Sequence, residues 1–285
     1  MNDSTLKLIL QGPGATEYTA QKIAAMAGAG RLHPVAPFVW RCDDIQSQPA
    51  VRDEITAAAL DLNIDVAFLP ADMRLEHFKL IVMDMDSTLI TIECIDEIAD
   101  MRGLKAEVAE ITEAAMRGDL EFRESLKRRV ALLKGLEESA LDEVFEQRLE
   151  LTLGARTMLR AMTKAGLRKV LVSGGFTYFT ERLERDLELD VTRANRLEVI
   201  DGKLTGRVLG EIVDAEAKKA TVVAQAAELG AAPSAAIVIG DGANDLQMMS
   251  VAGLSVAFRA KPVVQSQASV ALNFSGLDGV LGLFL

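Results

Sequence analysis

Asp84 and Asp86 stand one residue apart at the end of the apolar run Leu80-Ile81-Val82-Met83. Side chains alternate along a strand, so the two carboxylates share a face if the strand runs through them. Carboxylates that close repel unless a cation or a shared proton relieves them, which suits metal-assisted or acid/base work better than a structural role. Far downstream, Ala236-Ile237-Val238-Ile239-Gly240-Asp241-Gly242-Ala243-Asn244-Asp245 repeats the arrangement: an apolar strand, glycines, then carboxylates. In open parallel sheets ligands bind outside the carboxyl ends of the strands. Two acidic strand ends meeting there make a hard oxygen site of the kind that takes Mg2+ together with a substrate phosphate.

Two further segments could serve phosphate chemistry. Leu171-Val172-Ser173-Gly174-Gly175-Phe176 ends an apolar run in a hydroxyl and two glycines before a helix. Backbone N–H groups there, with the serine hydroxyl, can hold phosphate oxygens; the same glycines also suit an ordinary strand–helix turn. Lys218 and Lys219 fall in the first turn of a helix for which Asp214 is the expected N-cap. A cation is disfavoured there by the helix dipole, so an anionic partner would account for one of the two. The only histidines, His33 and His77, precede the first aspartate pair, which speaks against a Ser-His-Asp hydrolase. Catalysis must then rest on carboxylates, lysine, hydroxyls and metal.

The elements that position these residues form two units. Residues 1–77 read as a small α/β unit: strands at Leu6–Leu10, Val35–Arg41 and Ile64–Leu69, helices at Thr16–Ala27 and Ser47–Leu60, and a short strand near Arg31–His33. That order suits a split βαβ, ferredoxin-like layer. The unit offers packing, dimerisation with a second copy, or ligand sensing as roles. Residues 78–285 alternate strand and helix, the signature of a doubly wound, Rossmann-like parallel sheet. Strands are expected at 79–83, 168–172, 236–240, 254–258 and 269–272. A stretch without strand signal, about 92–150, carries apolar residues at helical spacing (Val108, Ile111, Ala115; Leu126, Val130, Leu133) and reads as a helical cap over the crevice. Alternation around Asp201-Gly202 predicts a hairpin, and Gly230 is placed to end the helix that starts at Asp214.

Composition narrows the function classes. The chain has 285 residues, 49% of them hydrophobic, enough for a substantial core. A net charge of −11 argues against nucleic acid and against a polybasic membrane anchor. No apolar run reaches the roughly 20 residues of a membrane helix, and no basic-then-apolar leader is seen. Two isolated cysteines, Cys42 and Cys94, make neither a disulfide framework nor a zinc site, so the cytoplasm is the expected compartment.

Asp84-Met-Asp-Ser-Thr, Ser173-Gly-Gly, Lys218 and Gly240-Asp-Gly-Ala-Asn-Asp245, in that order, resemble the four motifs of the haloacid dehalogenase superfamily. Within it, Met116-Arg-Gly-Asp-Leu-Glu-Phe122 through Arg129, and Ala194-Asn195 with Asp201-Gly-Lys-Leu-Thr-Gly206, resemble the cap and hairpin segments of phosphoserine phosphatases. The resemblance covers roughly 78–285. It implies that Asp84 is the nucleophile, forming an aspartyl-phosphate, and that Asp86 is the general acid/base. It also implies Mg2+ held by Asp84, the Asp86 carbonyl and Asp241, with Asp245 farther out. Ser173, Gly174 and Lys218 would bind the phosphoryl oxygens, and Asn244 would orient phosphate or the Asp84 region. For O-phospho-L-serine, the resemblance assigns Glu93 to the ammonium, Arg129 to the carboxylate, and Met116 and Phe122 to the apolar mouth. Alternatives are a phosphotransferase passing the group to an alcohol such as homoserine, a non-catalytic serine or phosphoserine sensor, and a phosphoacceptor module. In the N-terminal unit the resemblance to ACT-type domains extends to element order alone.

Overall fold

The computed structural model describes residues 6–45, 49–116 and 119–285. Its first unit runs β1 (Leu6–Gln11), α1 (Glu17–Met26), β2 (Arg31–Ala36), β3 (Val39–Ile45), α2 (Pro49–Leu60) and β4 (Asp65–Pro70). These strands form an antiparallel sheet in the order β2-β3-β1-β4, the ferredoxin-like arrangement. The single strand expected over 35–41 is instead a hairpin. Pro37 cannot donate to a ladder, Phe38 takes a positive φ of 56°, and the chain reverses between β2 and β3. The continuous apolar run Val35 to Trp40 hides that turn in the sequence. Ser47, the expected start of the second helix, lies outside the described residues.

Leu8 and Leu10 of β1 pack with Ile23 of α1 and Ile55 of α2, while Ile9 joins the core of the larger unit. The two units are tied by Asp65, which is 2% exposed. Its carboxylate accepts from the N–H groups of Asn273 (2.7 Å) and Ser275 (2.8 Å), and Gln11 donates to the Gly279 carbonyl at 2.9 Å.

The second unit continues β5 (Leu80–Met83), α3 (Cys94–Asp100), α4 (Lys105–Met116), α5 (Phe122–Leu132), α6 (Ser139–Gln147), α7 (Ala155–Lys164), β6 (Arg168–Phe176), α8 (Thr177–Leu187), β7 (Val191–Ile200) and β8 (Lys203–Leu209). It closes with α9 (Ala215–Glu228), β9 (Ala236–Gly240), α10 (Leu246–Met249), β10 (Leu254–Phe258), α11 (Pro262–Gln265), β11 (Val270–Leu272) and α12 (Gly279–Gly282). The sheet order is β11-β10-β9-β5-β6-β7-β8, with every pairing parallel except β7–β8. The chain builds outward from β5 through β6 and β7, then crosses back to β9 and builds the other way. The order therefore reverses at β5/β9, which opens a crevice at their carboxyl ends.

All four β5 side chains are fully buried because helices cover both faces. Ile81 and Met83 face one core layer, Leu80 and Val82 the other. Strand β6 runs on to Phe176, beyond the expected 168–172, and the first half of β7, parallel to β6 through Val191 to Arg193, is absent from the sequence expectation, since Thr192-Arg193-Ala194-Asn195 carries no apolar alternation. The hairpin is present, with Asp201 and Gly202 both at positive φ. Asp214 caps α9 by accepting from Ala217 N–H at 3.0 Å, and Gly230 follows its end at φ 65°. Four described helices, α3 to α6, fill the cap stretch. Gly206 of β8 lets the hairpin approach α5, since a Cβ there would stand 3.2 Å from the Ala131 backbone. No described helix is long and apolar enough to cross a membrane.

Candidate active site

Strand β5 stops at Met83, so the two aspartates do not extend it. Asp84 N–H donates to the Ile239 carbonyl at 3.0 Å, anchoring the residue beside β9. The chain then turns tightly through Met85–Leu89, closed by Ile90 N–H to the Met85 carbonyl at 3.0 Å, with Ser87 at φ 54°. This turn, rather than strand alternation, sets the direction of Asp86. Asp84 is 5% exposed, and its Oδ1 accepts from Met85 N–H at 2.7 Å. Burial and then the nearby Asp245 charge push Asp84 well above the carboxylate range, against the pull of Lys218. Asp86 is raised to about 8, by burial first and by Glu93 second, while the Cys94 N–H and thiol hydrogen-bond it and lower it.

Lys218 is the hub of the site. Its Nζ lies 2.7 Å from Asp84 Oδ2 and 2.7 Å from Asp245 Oδ1, with no solvent exposure of the residue. Burial opposes the charge, but Asp245 and Asp84 outweigh it and hold the ammonium above the usual lysine value. Of the two neighbouring lysines, Lys218 is the one beside the acids, whereas Lys219 is partly exposed. Asp245 also accepts from the N–H groups of Asp241 and Gly242, each at 3.1 Å, so both of its oxygens are engaged. Thr88 Oγ1 donates to Asp241 Oδ1 at 3.2 Å. Asp241 is raised to about 6 by burial, then by Asp245 and Glu93.

Asp84, Asp241 and Asp245 each present an oxygen within 4.8 Å of the others. A hard, all-carboxylate donor set fits a divalent cation, and such a cation would offset both the burial and the mutual repulsion that push Asp84 and Asp241 up. Asp84 and Asp241 have oxygen capacity for it; Asp245 supports from behind by holding Lys218 and the 241–242 backbone.

Across the crevice, Ser173 Oγ accepts from Gly175 N–H at 2.8 Å. A Cβ on Gly174 would come within 3.0 Å of Phe122 Cζ, so the first residue of cap helix α5 sits directly over this loop. Asn195, fully buried, clamps the loop: Nδ2 donates to the Gly174 carbonyl at 2.7 Å and Oδ1 accepts from Val213 N–H at 2.8 Å. Arg123 of α5 pairs with Asp214, the cap of the helix that carries Lys218.

Glu93 receives the Ser87 hydroxyl at 2.7 Å and is raised by burial. Arg129 faces Asp96, Glu93 and Asp86; burial lowers its pKa, its Nη1 reaches Thr112 Oγ1 at 3.5 Å, and its buried Nε has no partner among the described residues. Asn244 leans over Gly242, and no hydrogen bond joins it to Asp84 among the described residues. The Met116 side chain lies outside the described residues.

The haloacid dehalogenase-like hydrolase family model matches residues 81–250. A phosphoserine phosphatase of Polaromonas sp. is 55% identical over 217 residues, covering 74% of this chain and 92% of that one. This chain belongs to the phosphoserine phosphatase family of haloacid dehalogenase-like hydrolases. A Streptomyces coelicolor relative, also named phosphoserine phosphatase, is 43% identical over 98% of this chain and 70% of its own. The crystal structure of a probable phosphoserine phosphatase from Vibrio cholerae, in unliganded form, superposes with a TM-score of 0.82 at 36% identity, covering 99% of this chain and 86% of that one. Membership makes the chain an enzyme. The supporting residues Thr88, Asn195, Thr112 and Cys94 were given no role in the sequence. Thr88 and Asn195 lie in segments that the sequence singles out, and no comparable signal marks Thr112 or Cys94.

Proposed function

We propose that this chain is a cytoplasmic, Mg2+-dependent phosphomonoesterase. It would hydrolyse O-phospho-L-serine to L-serine and phosphate through an aspartyl-phosphate, the closing step of serine formation from a phosphorylated precursor. The observation that carries the reading is one cleft with two ends. At one end Lys218 joins Asp84 and Asp245 beside Asp241; at the other a buried Arg129 guanidinium faces Glu93, its Nε without a partner among the described residues. A phosphate, an ammonium and a carboxylate on one small molecule match those groups.

The phosphoryl group would lie between Asp84 and the Ser173–Gly174 loop. An Asp84 oxygen attacks phosphorus, and the bond from phosphorus to the seryl oxygen breaks. Asp86, whose burial and proximity to Glu93 favour its protonated form, gives that oxygen its proton. After L-serine departs, Asp86 takes a proton from the water that attacks phosphorus, releasing phosphate and restoring Asp84. Lys218, the Ser173 hydroxyl and the Gly174 N–H offset charge on the phosphoryl oxygens. Asp84, the Asp86 carbonyl and Asp241 would hold Mg2+, which when bound would supply further charge neutralisation at phosphorus. Phe122 over Gly174 keeps bulk water from the loop.

The test is phosphate release from O-phospho-L-serine, phosphothreonine, phosphoglycolate and a sugar phosphate, with and without Mg2+, by wild type and Asp84→Asn. Metal-dependent release that favours phosphoserine and vanishes in the variant is expected. Preference for another ester would sink the substrate assignment, and full activity of Asp84→Asn would sink the mechanism.

A further inference from the structure

We infer that Ser125, to which no motif assigns a role, is a specificity-determining residue: its hydroxyl donates to the substrate carboxylate beside Arg129. The inference rests on the phosphoserine reading above and adds a residue to it. Helix α5 presents Phe122, Ser125 and Arg129 at spacings of three and four, so the three lie along one stripe of the helix. The two outer members mark where that stripe points. Phe122 covers Gly174 at the phosphoryl end, and Arg129 faces Glu93, Asp96 and Asp86 at the amino-acid end. Ser125 stands between them.

Its chemistry is unusual for a helical serine. The residue is 1% exposed, yet its Oγ has no hydrogen-bond partner among the described residues. A buried serine on a helix ordinarily bonds the carbonyl one turn back; here the Glu121 carbonyl accepts only from the Ser125 N–H, at 2.9 Å. A buried hydroxyl without a partner is costly. Three unpartnered buried polar atoms, Asp86 Oδ1, Ser125 Oγ and Arg129 Nε, belong to this one crevice and its cap.

The ligand chemistry follows from what Arg129 has left to offer. Its Nη1 is turned to Thr112, leaving Nε and Nη2 as a fork for one carboxylate. A carboxylate accepts about four hydrogen bonds. A hydroxyl one turn before the guanidinium, on the same helix face, adds a further donor to the same anion. The ammonium, by contrast, is matched by Glu93 on the facing wall.

Ser125→Ala tests this with little risk to folding, because alanine favours the helix and removes a hydroxyl that has no partner among the described residues. The melting temperature should hold or rise. KM for O-phospho-L-serine should rise about tenfold or more, the usual effect of losing a hydrogen bond to a charged group, with kcat little changed. The competitive Ki of O-phosphoethanolamine, which keeps phosphate and ammonium but lacks the carboxylate, should not move. Equal weakening of both ligands, or an unchanged KM, would overturn the assignment while leaving the phosphoserine reading intact. A wild-type enzyme that binds the two ligands equally would overturn the phosphoserine reading and this inference with it.

Discussion

Replacing Lys218 with methionine keeps most of the volume of the side chain and removes the cation between Asp84 and Asp245. Each 2.7 Å contact is worth about 6 kcal/mol of gross attraction at an effective dielectric constant of about 20. Desolvation takes back several kcal/mol per ion. What remains after the substitution is two buried carboxylates facing each other without a neutraliser, a state that costs about 3–5 kcal/mol. For a chain of this size the loss corresponds to a fall in melting temperature of roughly 6–15 °C. The carboxylates can lessen it by taking up a proton, so the deficit should be smaller at pH 5.5 than at pH 8. Melts of metal-stripped wild type and Lys218→Met at the two pH values measure both effects. A variant within about 1 kcal/mol of wild type at pH 8, or an equal deficit at both pH values, would refute the hub.

Further outcomes follow from other parts of the cleft. Asp86 at about 8 and Asp241 at about 6 titrate above their unfolded values. The contribution of these groups to the metal-stripped protein should therefore be full below about pH 4 and be lost progressively as pH rises to about 8. Added Mg2+ should raise the melting temperature most at the alkaline end; melts with Mg2+ and with chelator check both signs, and identical curves would contradict them. Arg129→Lys keeps charge but loses the fork, so KM for phosphoserine should rise about tenfold or more while inhibition by inorganic phosphate is unchanged; steady-state kinetics decide. A Cβ at Gly175 would stand 2.8 Å from Met85 Cε and 3.1 Å from Asp86 Oδ2. Gly175→Ala should accordingly cut kcat about a hundredfold through displacement of Asp86, and a normal kcat would show that Asp86 tolerates the shift.

The parts of this fold legible in the sequence were those written in short-range patterns. The apolar runs of β5, β9 and β10, the Asp214 cap, the Gly230 stop and the Asp201-Gly202 turn each depend on a few consecutive residues, and each lies where those residues put it. The hairpin at Pro37-Phe38 was hidden because the residues around the turn are as apolar as a strand. The first half of β7 was hidden for the opposite reason: its residues are polar, and pairing with β6 and the Asn195 bonds hold it in place. At the site, the carboxylates were legible as strand ends, whereas their surroundings were not. Lys218 bridges Asp84 and Asp245, 134 and 27 positions away, only because the sheet brings them together, and nothing local in the sequence announces that Ser125 Oγ lacks a partner among the described residues.

The measurement that bears most directly on the proposed chemistry is trapping of the phosphorylated enzyme. Wild type and Asp86→Asn, the latter expected to slow both formation and hydrolysis of the phosphoenzyme, are mixed with O-phospho-L-serine and Mg2+, quenched in acid over a range of times from milliseconds to minutes, digested and analysed by mass spectrometry. The account predicts one phosphoryl group on the peptide carrying Asp84, acid-stable and base-labile as an acyl phosphate is, and absent from Asp84→Asn. Phosphate on any other residue, or continued turnover with Asp84 never labelled, would contradict it.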